Sequence, residues 1–187
     1  MKWQVLHNEY LVHNKWLTVR KDHVRQPSGC EMEDFYVLEY PDWVNVIAIT
    51  EDGHYIIEEQ YRHGLARVNY ELCAGCIEAN ETPLEASKRE LLEETGFGGG
   101  EWTEFLVSSP NPNSMNNICH TFIANGVKKV SEPHREKTED IQVYLLTLDE
   151  LKQALAEGKI IEGIMQAPLY KYFNSNIKHF NLLTNKY

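Results

Sequence analysis

Between Gly75 and Phe97 the chain reads GCIEANETPLEASKRELLEETGF, which fits the spaced pattern G-x5-E-x7-R-E-U-x-E-E-x-G-U, with U a bulky apolar residue, at every fixed position. Gly75, Glu81, Arg89, Glu90, Leu91, Glu93, Glu94, Gly96 and Phe97 occupy those positions in turn. The spacing dictates a loop, a helix and a stop. Thr82 is a good N-cap, Pro83 falls at the first helical position where its missing N–H does no harm, and Glu85 completes a T-x-x-E capping box. Gly96 ends the helix.

On that helix, residues three and four apart share a face, so Glu90, Glu93 and Glu94 crowd one side and Arg89 can reach Glu93. Carboxylates gathered this way repel one another unless a positive charge lies among them. A solvated acidic helix face is the plain alternative for E-L-L-E-E alone. The full spacing, with its glycine and glutamate upstream, points instead to a divalent cation, and oxygen ligands suit Mg2+ or Mn2+.

These residues resemble the Nudix box, and the chain is similar to Nudix hydrolases. The box covers a small part of the chain and by itself names no substrate. The resemblance implies an α/β/α sandwich with a mixed sheet, and hydrolysis of a phosphoanhydride bond in a nucleoside diphosphate linked to another moiety. It implies a metal held by Glu90 and Glu94, with Glu93 and the Ala74 carbonyl assisting. Arg89 would orient the glutamates, and Glu81 would support a second metal or hold the loop.

The charge balance narrows the partners. A formal net charge of -10 with no basic stretch argues against a nucleic-acid backbone. A small phosphorylated ligand fits an acidic protein if metal ions supply the positive charge. No long apolar run and no leader pattern occur at the N-terminus, so a cytoplasmic location without membrane contact is the default expectation. With 187 residues the chain can build one substantial core and a small appendage. Cys73-Ala-Gly-Cys76 invites a zinc or redox reading, but no second CxxC accompanies it. Small buried thiols are the preferred reading of Cys30, Cys73, Cys76 and Cys119. Proteins that resemble this one usually carry proline where Cys73 stands.

Residues 1–42 read as short strands, with a turn at Pro27-Ser28-Gly29, and are too few and too polar to bury a core alone. In Nudix enzymes acting on ADP-ribose such a segment builds an antiparallel sheet used for dimerisation, so a homodimer is implied. Trp3, Tyr10 and Trp16 could form an aromatic surface for a base or a dimer interface, and plain packing is the favoured role for each. Residues 43–187 form the expected Nudix domain. VNVIAIT and HYIIEEQYR are strands joined by a hairpin at Glu51-Asp52-Gly53, and HGLARVN is a polar loop leading to Tyr70-Glu71-Leu72. By resemblance Arg62, in Q-Y-R, contacts substrate phosphate, for which bidentate guanidinium pairing is a sound reason, and Glu71 stands on the substrate side. Without the family, a surface salt bridge is the simpler role for Arg62.

After the box, EWTEFLVSS reads as a strand and SPNPNSMNN as turns. Pro112, fifteen residues after Phe97, falls close to where a proline marks the ADP-ribose subgroup. ICHTFIANGV is a strand in which His120 reads as a strand residue rather than a base. In the charged loop KKVSEPHREKTED, Glu139 and Glu136 are candidates for a carboxylate that activates water, with Glu139 preferred because it enters the strand IQVYLLTL. LDELKQALAEGK is a helix, and EGIMQAPLYKYF a second one broken or begun at Pro168. The expected substrate is a nucleotide sugar, ADP-ribose first, with GDP-mannose or another sugar nucleotide next. A non-catalytic Nudix ligand sensor is the rival reading. Sensors typically lose box glutamates, and here all are present.

Overall fold

The computed structural model describes residues 1–15, 17–135 and 139–175, so Trp16, Glu136 and the end of the tail lie outside the described residues. Two compact units emerge: Met1–Asp42 with Ser109–Ile118, and Trp43–Ser108 with the chain from Cys119 onward.

In the first unit, β1 (Gln4–Asn14), β2 (Leu17–Arg25) and β3 (Glu31–Glu39) form an antiparallel three-stranded sheet. Asn14 Oδ1 accepts the Leu17 N–H at 2.9 Å and closes the first hairpin. The second turns through Gly29, whose φ of 89° a side chain would strain. Arg20 pairs with Asp22 and Glu39, which lets Asp22 sit buried. The turn-rich segment joins this unit through backbone bonds: Leu38 N–H donates to the Ser114 carbonyl at 2.7 Å, and Asn116 N–H to the Leu38 carbonyl at 3.3 Å. No local pattern announces that partnership.

The second unit carries β4 (Trp43–Thr50), β5 (Tyr55–Arg62), β6 (Arg67–Glu71), β7 (Cys73–Cys76), α1 (Pro83–Thr95) and β8 (Phe97–Gly98). Further along come β9 (Glu101–Ser108), β10 (Cys119–Lys129), β11 (Ile141–Leu146), α2 (Leu148–Ala156) and α3 (Gly163–Asn174). The strands form one mixed sheet with the central path β11-β5-β4-β10-β8. β4 and β10 run parallel, and the other pairs are antiparallel.

Alternation along the central strands explains the layers. Val46, Ala48 and Ile56 pack with Leu91 of α1, while Ile47 and Ile57 pack with Leu151 and Leu155 of α2 and Met165 and Leu169 of α3. Helices therefore cover both faces of the sheet, the α/β/α sandwich expected. With both faces covered, β4 is apolar almost throughout.

Three local readings change. Residues 63–69 hold a 3-10 turn, His63–Leu65, and the start of β6 at Arg67, with Ala66 making the bend between them in left-handed conformation at φ 51°. Cys73–Cys76 is a strand against β4 rather than loop, because its backbone groups find partners there. Pro168 lies inside α3 and neither starts nor breaks it. The N–H that proline lacks would have bonded the Ile164 carbonyl. Buried Asn45 on β4 donates its side-chain amide to that carbonyl instead, at 2.8 Å.

Candidate active site

α1 begins as its sequence dictates: Thr82 Oγ1 accepts from Glu85 N–H at 3.3 Å, Glu85 accepts from Thr82 N–H at 2.8 Å, and Pro83 opens the helix. Its C-terminal end is held from outside. Gly96 N–H caps the Leu92 carbonyl, His134 N–H the Glu93 carbonyl, Arg135 Nε the Glu94 carbonyl, and Lys129 Nζ the Thr95 carbonyl, at 2.8 to 2.9 Å. Carbonyls that a helix end leaves open are thus all satisfied, which fixes the turn that carries Glu93 and Glu94.

Arg89 fans across one side of the acidic group. Nη2 donates to Glu81 Oε1 at 2.7 Å and to the Cys76 carbonyl at 3.0 Å, and Nε to Glu81 Oε2 at 3.1 Å. Nη1 reaches Glu90 Oε1 at 2.9 Å and Glu93 Oε2 at 3.3 Å. Glu81 also accepts the Glu78 N–H at 2.7 Å and so ties the loop before the helix. Glu93 remains half-exposed, whereas Glu90 is largely covered. A Cβ on Gly75 would lie 2.0 Å from Glu90 Oε1, so this position must be glycine for Glu90 to reach its place.

The other side has a different make-up. Glu94 is buried, accepts the Ala74 N–H at 3.3 Å and has the Cys73 thiol beside it, which favours its charged form. Beside it lies Glu58 of β5, which the sequence reading did not single out. Glu58 is 4% exposed and its Oε1 has no hydrogen-bond partner. Burial first, then the charge of Glu94, pushes the Glu58 carboxyl well above its ordinary range. Burial likewise pushes Glu94 up to about 7, against the Cys73 thiol and with help from the Glu90 and Glu139 charges. Glu90 is raised by burial too, opposed by Arg89. Glu139 is therefore close enough to be felt by both box glutamates. An unpartnered carboxylate oxygen among crowded buried carboxylates is a donor set that fits a divalent cation.

β7 is the wall between these carboxylates and a cavity of about 600 Å³, lined in part by Trp43, Arg62, Asn69, Glu71, Ala74, Gly75 and Glu162. Its size suits a nucleotide-scale ligand. Arg62 grips buried Glu71, Nε to Oε1 at 2.9 Å and Nη2 to Oε2 at 2.5 Å, so its partner is a cavity carboxylate rather than a surface one. Glu162, at the start of α3, stands on the same wall. Burial and the Glu71 charge raise its carboxyl above the usual range, with Arg62 opposing.

The structure thus gathers Arg89, Glu90, Glu93, Glu94, Ala74, Glu81 and Glu139 around α1, and Arg62 with Glu71 at the cavity. Pro112 belongs to the first unit, in a turn where Met115 N–H donates to the Asn111 carbonyl at 2.8 Å. Glu136 lies outside the described residues. His120 bonds Glu104 at 2.9 Å, the strand role expected of it. No disulfide joins the four cysteines; Cys73 and Cys119 are buried as expected, but Cys30 and Cys76 are exposed. Glu58 was legible only as a carboxylate in phase with Ile56 on the α1 face of β5.

Fold and site define an α/β/α protein whose buried carboxylates form a donor set that fits a divalent cation. Residues 39–165 match the NUDIX domain, and the chain belongs to that family as a Nudix hydrolase. Residues 3–38 match the nucleoside diphosphate sugar hydrolase N-terminal domain. The chain is 30% identical over 179 residues to the methanol dehydrogenase activator of Bacillus methanolicus, covering 94% of this chain and 96% of that protein. It is 30% identical over 157 residues to the ADP-ribose pyrophosphatase of Bacillus subtilis, covering 83% and 84% respectively. A crystal structure titled as an ADP compounds hydrolase superposes with a TM-score of 0.81 at 21% identity, covering 92% of this chain and 93% of that one.

Proposed function

We propose that this protein hydrolyses the pyrophosphate bond of a nucleoside diphosphate sugar with Mg2+, or Mn2+ in its place, and that ADP-ribose is the preferred substrate, giving AMP and ribose 5-phosphate. The observation that carries the reading is the pair of buried carboxylates Glu58 and Glu94 with the largely covered Glu90, backed by β7 against a cavity with Arg62 on its wall. The N-terminal domain match and the likeness to the ADP-ribose pyrophosphatase of Bacillus subtilis support the substrate class.

Glu90 and Glu94 hold the ion on this reading, with Glu93 and the Ala74 carbonyl assisting and Glu58 supplying an extra oxygen. When bound, the ion neutralises the pyrophosphate and lowers the pKa of a water molecule. Arg89 positions Glu90 and Glu93. Arg62, held by Glu71, contacts a substrate phosphate. Glu139 takes the proton from the attacking water as the phosphoanhydride P–O bond breaks. Pro112 keeps a substrate-side role by family resemblance alone.

Homodimerisation through the N-terminal sheet and a cytoplasmic location belong to the same proposal. Trp3, Val5, Tyr10, Leu11 and Tyr36 are exposed apolar residues on that unit and support a covered face.

Incubation with Mg2+ and a panel of ADP-ribose, GDP-mannose, UDP-glucose, NADH, diadenosine polyphosphates and nucleoside triphosphates, followed by chromatography, tests the reading. AMP and ribose 5-phosphate should appear fastest from ADP-ribose. A faster reaction with GDP-mannose would move the assignment to that sugar nucleotide, and silence across the panel would favour a ligand sensor.

A further inference from the structure

Cys73 has no role in the mechanism above, yet it sits at its centre. On β7 its side chain enters the apolar cluster under α1, among Val46, Ala48 and Leu91, and it is 1% exposed. A small thiol there needs no explanation beyond packing. Its neighbours on the other side do. One ligand atom each from Glu58, Cys73 and Glu94 lie within 4.8 Å of one another, all three residues are buried, and Glu58 Oε1 is unpartnered. Cys76, three residues on, is not part of this group and is exposed.

Resting on the metal-centre reading of Glu94, we propose that Cys73 is a sulfur donor which, with Glu58 and Glu94, forms a mixed oxygen–sulfur corner selecting Zn2+, Co2+ or Cd2+ over Mg2+. Carboxylates alone make a hard set that suits Mg2+, whereas a thiolate biases a site toward softer ions. Metal–sulfur and metal–oxygen bonds of about 2.3 and 2.1 Å place two donors on one ion no more than about 4.4 Å apart. The bound of 4.8 Å on the separations within the group is close to that limit. Cys73 enters the bond as thiolate, so its proton, and any proton shared by Glu58 and Glu94, passes to solvent as the dication is taken up. No electron changes hands. Because Glu94 serves both ion classes, a soft ion at this corner competes with Mg2+ and sets the chain's turnover by metal availability.

The test is a Cd2+ titration of the metal-free full chain, read by the ultraviolet thiolate-to-cadmium charge-transfer band, alongside Mn2+ binding read by electron paramagnetic resonance. The wild type and Cys76→Ser should both develop the band. Cys73→Ser should lose it and bind Cd2+ roughly tenfold more weakly, with Mn2+ binding unchanged. Should Cys73→Ser fail to fold by circular dichroism, Glu58→Gln carries the test: the band persists and Cd2+ binding weakens roughly tenfold. A band that survives in Cys73→Ser, or Cd2+ affinity unaltered in Glu58→Gln, overturns the proposal. Absence of any band at saturating Cd2+, while Mn2+ binding still depends on Glu94, overturns it and leaves the metal-centre reading standing. Loss of Mn2+ binding in the wild type would sink both.

Discussion

The two sides of the α1 carboxylate group are built from the same residue type and differ in what balances them. On the Arg89 side a guanidinium with five hydrogen-bond donors spans Glu81, Glu90 and Glu93, and the pairing is complete within the chain. On the Glu94 side, Glu58 and Glu94 are more deeply buried, a thiol and a backbone N–H are their near donors, and one oxygen has no partner. Burying charge without a partner is far more costly than leaving it in water. The difference supports the proposed placing of the cation: Arg89 braces Glu81, Glu90 and Glu93 from one side, and the ion would sit where Glu90 faces Glu94 and Glu58, near which the Arg135 guanidinium is engaged by backbone carbonyls.

Removing that contrast at its sharper end should have the largest effect. Glu94→Gln keeps volume and takes away charge. ADP-ribose turnover should fall by roughly a thousandfold, several kcal/mol of transition-state stabilisation, with circular dichroism unchanged. Normal turnover would show that Glu94 is no ligand.

Gly75→Ala should displace Glu90 without touching a charge. The added methyl meets the far end of a side chain, so the melting temperature should move little, while turnover drops roughly a hundredfold through the misplaced carboxylate. Equal loss of stability and activity would mean that the backbone had shifted instead. Arg89→Ala breaks the brace. It should destabilise the protein by about 3 kcal/mol in urea unfolding, because covered Glu90 loses its partner. Turnover in the folded fraction should fall roughly tenfold, since Glu90 loses its positioning partner while the proposed ligands themselves are kept. A wild-type unfolding midpoint would contradict the brace.

The smallest effect is expected where one cation serves two carboxylates, at Arg62, Glu71 and Glu162. Glu162 has a raised carboxyl in the fold. A raised folded pKa means the native state holds the proton more tightly, so this residue's contribution to stability is lost as pH rises above the ordinary glutamate value of about 4.5. Glu162→Gln should match the wild type in melting temperature at lower pH and exceed it above. A constant difference across pH would exclude the titration as its source.

Much of this was legible in the chain because the signals are local. The capping box, Pro83 and Gly96 fix the limits of α1, and helical periodicity alone puts Arg89 among its glutamates. The strand alternation that separates Ile47 from Val46 also gives the layers. What was not legible depends on partners distant in sequence. Asn45 supports the proline turn of α3 from more than a hundred residues away. Arg135 and His134 tie down the end of α1 from a loop with no apolar period. Ser109–Ile118, with Pro112, joins the N-terminal strands through backbone bonds that carry no side-chain signature. Glu58 and Cys73 meet Glu94 only because β5, β7 and α1 pack together, and a buried carboxylate within an apolar strand was the one trace of it.

The most direct test of the central claim is Mn2+ binding to the metal-free protein, measured by electron paramagnetic resonance for the wild type, Glu94→Gln and Glu81→Gln. Saturable binding that Glu94→Gln abolishes and Glu81→Gln largely keeps would place the cation on the Glu94 side, away from the Arg89–Glu81 pairing. Binding that survives Glu94→Gln and disappears in Glu81→Gln would put it on the Arg89 side and contradict the account.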